Sequence, residues 1–177
     1  MEYWQNIYSN FDPVAFSLGS ISVHWYGIMY ALALLSAIMI AKWFIKNVPR
    51  LRGGMPPVLD LEWNPFSPTC VLRPPAKEVR RVATRFINII ERHYQTRVVV
   101  YTAPDFWERN NVARLKRDFW LRSTAQHVEK RYGVKGWQFW QYTATGVLDG
   151  IEKEVDFNCF NGGKGQWNKW RKARAVR

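Results

Sequence analysis

No lysine or arginine precedes Lys42, and no charged side chain of either sign falls between Trp25 and Ala41. A cleaved secretory signal opens with a positive region, so the first absence excludes one of the usual design. Cysteine is scarce too: Cys70 and Cys159 are the whole complement. Two cysteines exclude a disulfide-dense secreted scaffold and a four-cysteine zinc site, and leave one disulfide open. The three histidines, His24, His93 and His127, are scattered and offer no ligand spacing for a metal. No metal and no cofactor is expected. Acids are few: 14 Asp and Glu stand against 26 Lys and Arg in 177 residues, for a net charge of +12. With 47% apolar residues the chain is nevertheless no disordered polyelectrolyte.

What is present is unevenly spread. Residues 1–45 hold one base, Lys42, and two acids, Glu2 and Asp12, while residues 46–177 hold 25 bases and 12 acids. The 17 uncharged residues from Trp25 to Ala41, with their apolar flanks, reach the ~20 that a membrane-crossing helix needs. Trp25, Tyr26 and Tyr30 near one end and Trp43 and Phe44 near the other fit an aromatic belt. A transmembrane helix is expected over about 21–45; a buried core helix is the competing reading. Lys42, Lys46, Arg50 and Arg52 follow this segment, so the positive-inside rule puts the N-terminus outside and the rest in the cytoplasm. The expected location is the cytoplasmic membrane, with one crossing.

The residues Phe11-Asp12-Pro13-Val14-Ala15-Phe16-Ser17-Leu18-Gly19, then His24-Trp25-Tyr26-Gly27-Ile28-Met29-Tyr30, resemble the N-terminus of bacterial prolipoprotein diacylglyceryl transferase. The resemblance covers about residues 8–46, which is the first membrane helix of a family with several. The later His-Gly-Gly and Gly-Arg-x-Gly-Asn segments of that family are absent, so transferase activity is not expected, although Tyr26 matches a family position near that site.

Pro49, Gly53, Gly54, Pro56 and Pro57 then mark a linker or seam, placed at 47–57. Val58-Leu59-Asp60-Leu61-Glu62 reads as a short strand on which Asp60 and Glu62, two apart, face the same way. Residues 76–94 read as an amphipathic helix with a stripe of Val79, Val82, Phe86, Ile89 and Ile90, and 98–102 as a buried β-branched strand. Strand, helix, strand predicts a parallel α/β unit. Three more strands are expected at 119–122, 137–142 and 155–158, with gaps too short or too glycine-rich for full helices. The last 14 residues, 164–177, carry six bases and no acid, and read as a solvated basic tail.

Two carboxylates held close cannot both ionise easily, so one pKa rises and that group can serve as a general acid near neutrality. This is the acid–base arrangement of glycoside cleavage. A salt-bridged strand end explains the same spacing, and a metal site lacks histidine partners.

The wider wording adds to this. Pro56 through Glu62, Tyr101-Thr102, Phe119-Trp120-Leu121, Trp137-Gln138-Phe139-Trp140-Gln141-Tyr142-Thr143, Gly150-Ile151 and Val155-Asp156-Phe157-Asn158-Cys159-Phe160 resemble the glycoside hydrolase family 25 lysozymes over about 53–163. These are muramidases, which cut the N-acetylmuramic acid to N-acetylglucosamine bond of peptidoglycan. The resemblance implies that Glu62 is the acid, that Asp60 supports it or stabilises an intermediate, and that Asp156 lines the same pocket from the last strand. It implies sugar-stacking walls at Tyr101, Trp140 and Tyr142 and a hydrogen-bonding Gln141, and leaves Trp63 to line the cleft or cover the core. It also implies three strand–helix units ahead of Asp60, the first with an Asp-bearing strand. In their place stands the apolar segment. The expectation is therefore α/β: an incomplete TIM-like (β/α) barrel over 58–163, preceded by one transmembrane helix, with unpaired sheet edges and weak activity.

The expected partners are peptidoglycan and, through the N-terminal helix, a membrane. Oligomeric state is left open. The alternative function is a non-catalytic, membrane-tethered basic module that binds cell-wall polymer or lipid headgroups, using Trp167, Trp170 and the tail. Nucleic acid is not expected: the bases are spread over helix faces and tail without a recognised motif.

Overall fold

The computed structural model describes residues 12–64 and 73–177. A hairpin comes first, β1 (Val14–Leu18) antiparallel to β2 (Ile21–His24). Its turn uses Gly19 at φ 60°, a conformation that costs glycine nothing. Helix α1 (Trp25–Asn47) follows directly. The expected helix over 21–45 therefore starts four residues late, because Ile21, Ser22 and Val23 pair back onto β1. The long apolar run masked that short alternation.

The rest is one layered unit. Its order is β3 (Val58–Leu61), α2 (Ala76–Tyr94), β4 (Val99–Thr102), α3 (Pro104–Asn110), a 3-10 turn (Val112–Leu115), β5 (Asp118–Arg122), α4 (Val128–Tyr132), β6 (Phe139–Gly146), β7 (Val155–Phe160) and α5 (Lys164–Arg174). The five strands β3 to β7 lie side by side in chain order. The first four are parallel, and β7 turns antiparallel on β6. Among the described residues β3 and β7 are the edges, so the sheet is an open part of a barrel. Close pairing of β6 and β7 needs glycine at 146, where a Cβ would come within 2.8 Å of the Phe157 ring and the Val155 carbonyl.

The core lies between the sheet and its helices. Leu59, Leu61, Val98, Val100, Phe119 and Leu121 meet Ala83, Ile87, Ile90 and Tyr94 of α2. Each fully buried Ile or Leu contributes about 1.5–3 kcal/mol by leaving water. Helix α1 joins through Ala41, Phe44 and Ile45. The Phe44 and Tyr94 rings lie 5.9 Å apart, and the Tyr94 hydroxyl donates to the Val48 carbonyl at 2.7 Å.

Residues 164–177 are not a solvated tail. Trp167 and Trp170, three apart, share one face of α5 and pack on Phe139 and Phe160 at 5.0–6.1 Å. Arg174 makes a two-pronged ion pair with Asp118 at 2.6 and 3.1 Å, and Trp170 Nε1 donates to the same carboxylate at 2.8 Å. Burial pushes the Asp118 carboxyl up, but these bonds and the Arg174 charge outweigh it and hold it below the usual range. Past the helix, Val176 is buried, and its N–H and carbonyl pair with Gly54 and Gly53 at 3.0 and 2.9 Å. The seam at 47–57 is thereby fastened at both Gly53 and Gly54. The number of bases in this segment suggested solvation, and the tryptophan spacing outweighs it.

Candidate active site

Parallel pairing aligns the strands so that whole rows of side chains can be read. Asp60 is in register with Tyr101, and Tyr101 with Trp120. One residue on, Leu61, Thr102, Leu121 and Trp140 form a row on the opposite face. One further, Glu62, Ala103, Arg122, Gln141 and Asn158 return to the face of Asp60, the Arg122–Gln141 and Gln141–Asn158 steps being paired in the sheet. Asp156 lies two residues before Asn158 on β7, on that same face.

Hydrogen bonds hold this face rigid. The Tyr101 hydroxyl donates to Gln141 Oε1 at 2.6 Å, and Trp120 Nε1 donates to Asn158 Oδ1 at 2.7 Å. The Tyr101 and Trp120 rings meet edge to face at 5.7 Å. Gln141 is buried in spite of its polar side chain, and the Tyr101 bond satisfies its oxygen. Behind the strand ends, Thr102 Oγ1 donates to the Leu61 carbonyl at 2.7 Å, and the Tyr132 hydroxyl bonds the carbonyl of Arg122 at 2.7 Å.

Partial burial pushes the Asp60 carboxyl above its ordinary range. Glu62 is raised too, first by burial and then by the Asp60 charge; Asp105 and Asp156 add to this while Arg122 opposes it. Burial, with the Glu62 charge second, pushes the Tyr101 hydroxyl up to about 12. A carboxyl raised in this way keeps its proton to higher pH than a free one, and Glu62 sits in a field set by three further acids and one base.

The structure thus brings Asp60, Glu62, Tyr101, Gln141 and Asp156 to one face at one end of the sheet. Trp140 stands at the same end but on the opposite face, in the row of Leu61, Thr102 and Leu121 and against the core, with Tyr142 beside it. The Trp140 indole donates to the Ser123 carbonyl at 2.8 Å, and its ring lies 4.8 Å from His127 and 5.9 Å from Tyr142. Trp63 packs on Phe106 at 4.5 Å and carries the Arg73 guanidinium at 4.4 Å over its ring, on the core side. Cys159 is half-buried, with burial raising its thiol, and Cys70 lies outside the described residues. Among the described residues no three His, Cys, Asp or Glu side chains gather as metal ligands. Sequence reading missed Arg122, Trp120 and Asn158, because only the register shows that they share the face of the acids.

A parallel sheet with paired carboxylates at its strand ends is the arrangement that barrel-type glycoside hydrolases use. The profile of the glycosyl hydrolases family 25 matches residues 19–151, and the chain belongs to that family. A family 25 glycosyl hydrolase from Bacillus anthracis superposes with a TM-score of 0.66 at 29% identity, over 75% of this chain and 62% of that one. The bacterial lysozyme from Streptomyces coelicolor gives 0.59 at 28% identity, over 73% and 63%. The chain therefore spans a little under two thirds of each solved relative. The N-terminal region is 83% identical over 47 residues to the phosphatidylglycerol–prolipoprotein diacylglyceryl transferase of Aliarcobacter butzleri, which is 27% of this chain and 17% of that enzyme. The two likenesses overlap, since the family 25 match begins at Gly19.

Proposed function

We propose that this chain is a muramidase that hydrolyses the N-acetylmuramic acid to N-acetylglucosamine bond of peptidoglycan. The observation that carries the reading is Asp60 and Glu62 on one strand end, both raised, facing Tyr101, Gln141 and Asp156. Glu62 protonates the leaving oxygen. Asp60 supports it or steadies an intermediate formed with the substrate's own acetamido group, and Asp156 lines the opposite wall. Tyr101 and the exposed Tyr142 stack on sugar rings while Gln141 hydrogen-bonds, and Trp140, on the opposite face, backs Tyr142. Family membership and the two solved relatives support this reading. Activity is expected to be weak, because the described strands do not supply the Asp-bearing strand that the resemblance implies ahead of Asp60.

A helix of 23 residues, Trp25–Asn47, is long and apolar enough to cross a membrane. The reading places it in the cytoplasmic membrane as the anchor and needs the hydrolase part on the outer side with the peptidoglycan, the reverse of the orientation that Lys42, Lys46, Arg50 and Arg52 favour. The test is turbidity loss of purified peptidoglycan with the full chain in detergent, beside the Glu62→Gln variant. Loss of lysis by 100-fold or more (on the order of the general-acid contribution) with retained sedimentation onto the polymer is expected. Equal lysis by both proteins would defeat the assignment of Glu62. Binding without lysis by either would favour a non-catalytic wall-binding module.

A further inference from the structure

The row that carries Glu62 also carries one unused cation. Arg122 ends β5, two strands from Glu62, with Ala103 between them. Adjacent strands stand ~4.8 Å apart, so the two backbone positions are about 10 Å apart. Ala103 is buried and ends at its Cβ, so that the strand between them sends no longer side chain into the gap.

Among the described residues the ion pairs are Arg81–Glu78, Arg117–Glu91, Arg131–Glu108 and Arg174–Asp118, and Arg122 belongs to none. The residue is half-buried, and its backbone is fixed by the Tyr132 hydroxyl on its carbonyl. It faces the cleft, since its positive charge opposes the upward shifts of both Glu62 and Tyr101. A planar five-donor fork with no ion-pair partner among the described residues matches a carboxylate.

We propose that Arg122 is the specificity residue of this cleft and holds the lactyl carboxylate of glycan strands that have lost their stem peptides. The inference rests on the muramidase reading, because N-acetylmuramic acid freed of its stem peptide carries a lactyl carboxylate, whereas peptide-bearing N-acetylmuramic acid carries an amide there and N-acetylglucosamine carries neither. The other role open to Arg122 is to offset the charge of Asp60, Glu62 and Asp156 with no ligand contact. That role predicts equal effects on charged and uncharged glycans.

The experiment uses the full chain in detergent with Glu62→Gln, so that ligands are not consumed. Binding is measured for peptide-free peptidoglycan strands, whose lactyl groups are free carboxylates, and for N-acetylglucosamine oligomers of equal length. Arg122→Gln is expected to weaken the carboxylate-bearing ligand about tenfold, the size of one charged hydrogen bond. The oligomers should bind unchanged, and Arg122→Lys should restore part of the preference. Equal binding of the two ligands before substitution, or a preference that survives Arg122→Gln, overturns the anchor. Unchanged oligomer binding shows that the variant is folded. Lysis by the unsubstituted chain without any effect of Arg122 on preference would leave the muramidase reading intact and the anchor refuted. A carboxylate preference that depends on Arg122, in a chain that never lyses, would do the reverse.

Discussion

Helices Trp25–Asn47 and Ala76–Tyr94 lie side by side and meet water in opposite ways. The second buries Ala83, Ile87, Ile90 and Tyr94 on one flank and exposes Lys77, Arg81, Arg85 and Arg92 on the other. The first buries only Ala37 and Ala41 and leaves Trp25, Tyr26, Met29, Leu32, Leu35, Met39, Ile40 and Trp43 in the open. A row of that kind on a soluble surface marks a contact with something apolar. The small Ala37 and Ala41 let the two helices approach, and Arg81 sits 5.4 Å from the ring of Tyr30. This contact sets a limit on membrane insertion. Were α1 to cross a bilayer while still docked, Arg81 and Arg85 would be carried toward hydrocarbon, where a centred Arg costs about 2.5–3.5 kcal/mol or more. Docking on α2 and crossing a membrane are competing uses of the same inner face.

The largest expected effect separates the two helices by chemistry of the same kind. Ile87→Ala removes a side chain that is 1% exposed and should cost about 2–5 kcal/mol of stability. Leu35→Ala trims a side chain that is 55% exposed and should cost no more than about 0.5 kcal/mol in water. Denaturant unfolding of both variants in the same mild detergent checks this. A large loss for Leu35→Ala would show that the outer face of α1 is covered by another part of the protein.

The inner face of α1 is next in size. Ala41 is fully buried, so Ala41→Leu overpacks the joint with α2 and should cost about 1–3 kcal/mol. The same substitution only adds apolar surface to a crossing helix. Membrane recovery after alkaline extraction should therefore be unchanged while the thermal midpoint in detergent falls. An unchanged midpoint would mean that α1 is already free of α2.

These contrasts also show which features the sequence makes legible. Strands at 58–61 and 99–102 and the helix at 76–94 stand out because β-branched runs and a 3.6-residue stripe are local signals. The Asp60–Glu62 spacing is local as well. The β1–β2 hairpin is hidden because apolar residues continue from Ile21 through α1, which blurs alternation into a helical run. Helix α5 is hidden by its bases, whose number says nothing about Trp167 and Trp170 facing inward. Arg122 is hidden for another reason: its place beside Glu62 comes from pairing across β3, β4 and β5, over 60 residues of chain. Sequence alone gives the face of a strand but not its register against distant strands.

The smallest effect asks whether the carboxylate cleft is independent of α1. In its proposed role Glu62 gives up a proton only while protonated, so activity should fall as pH rises through its raised pKa. Burial is the main cause of that shift and the Asp60 charge the next, with Asp105 and Asp156 adding and Arg122 subtracting. Asp60→Asn removes one negative neighbour and stabilises the ionised form of Glu62. The alkaline limb of the pH–rate profile should therefore move to lower pH, whatever activity remains. Stability follows the same sign. Asp60 and Glu62 hold protons more tightly folded than unfolded, so each favours folding below the ordinary carboxylate range and loses that effect as pH rises through its raised value. Asp60→Asn removes the Asp60 part of this trend and should flatten stability against pH in that window. Leu35→Ala, on the outer face of α1, should move neither curve. A shift of the alkaline limb by Leu35→Ala would tie the cleft to the apolar helix and erase the contrast between the two regions.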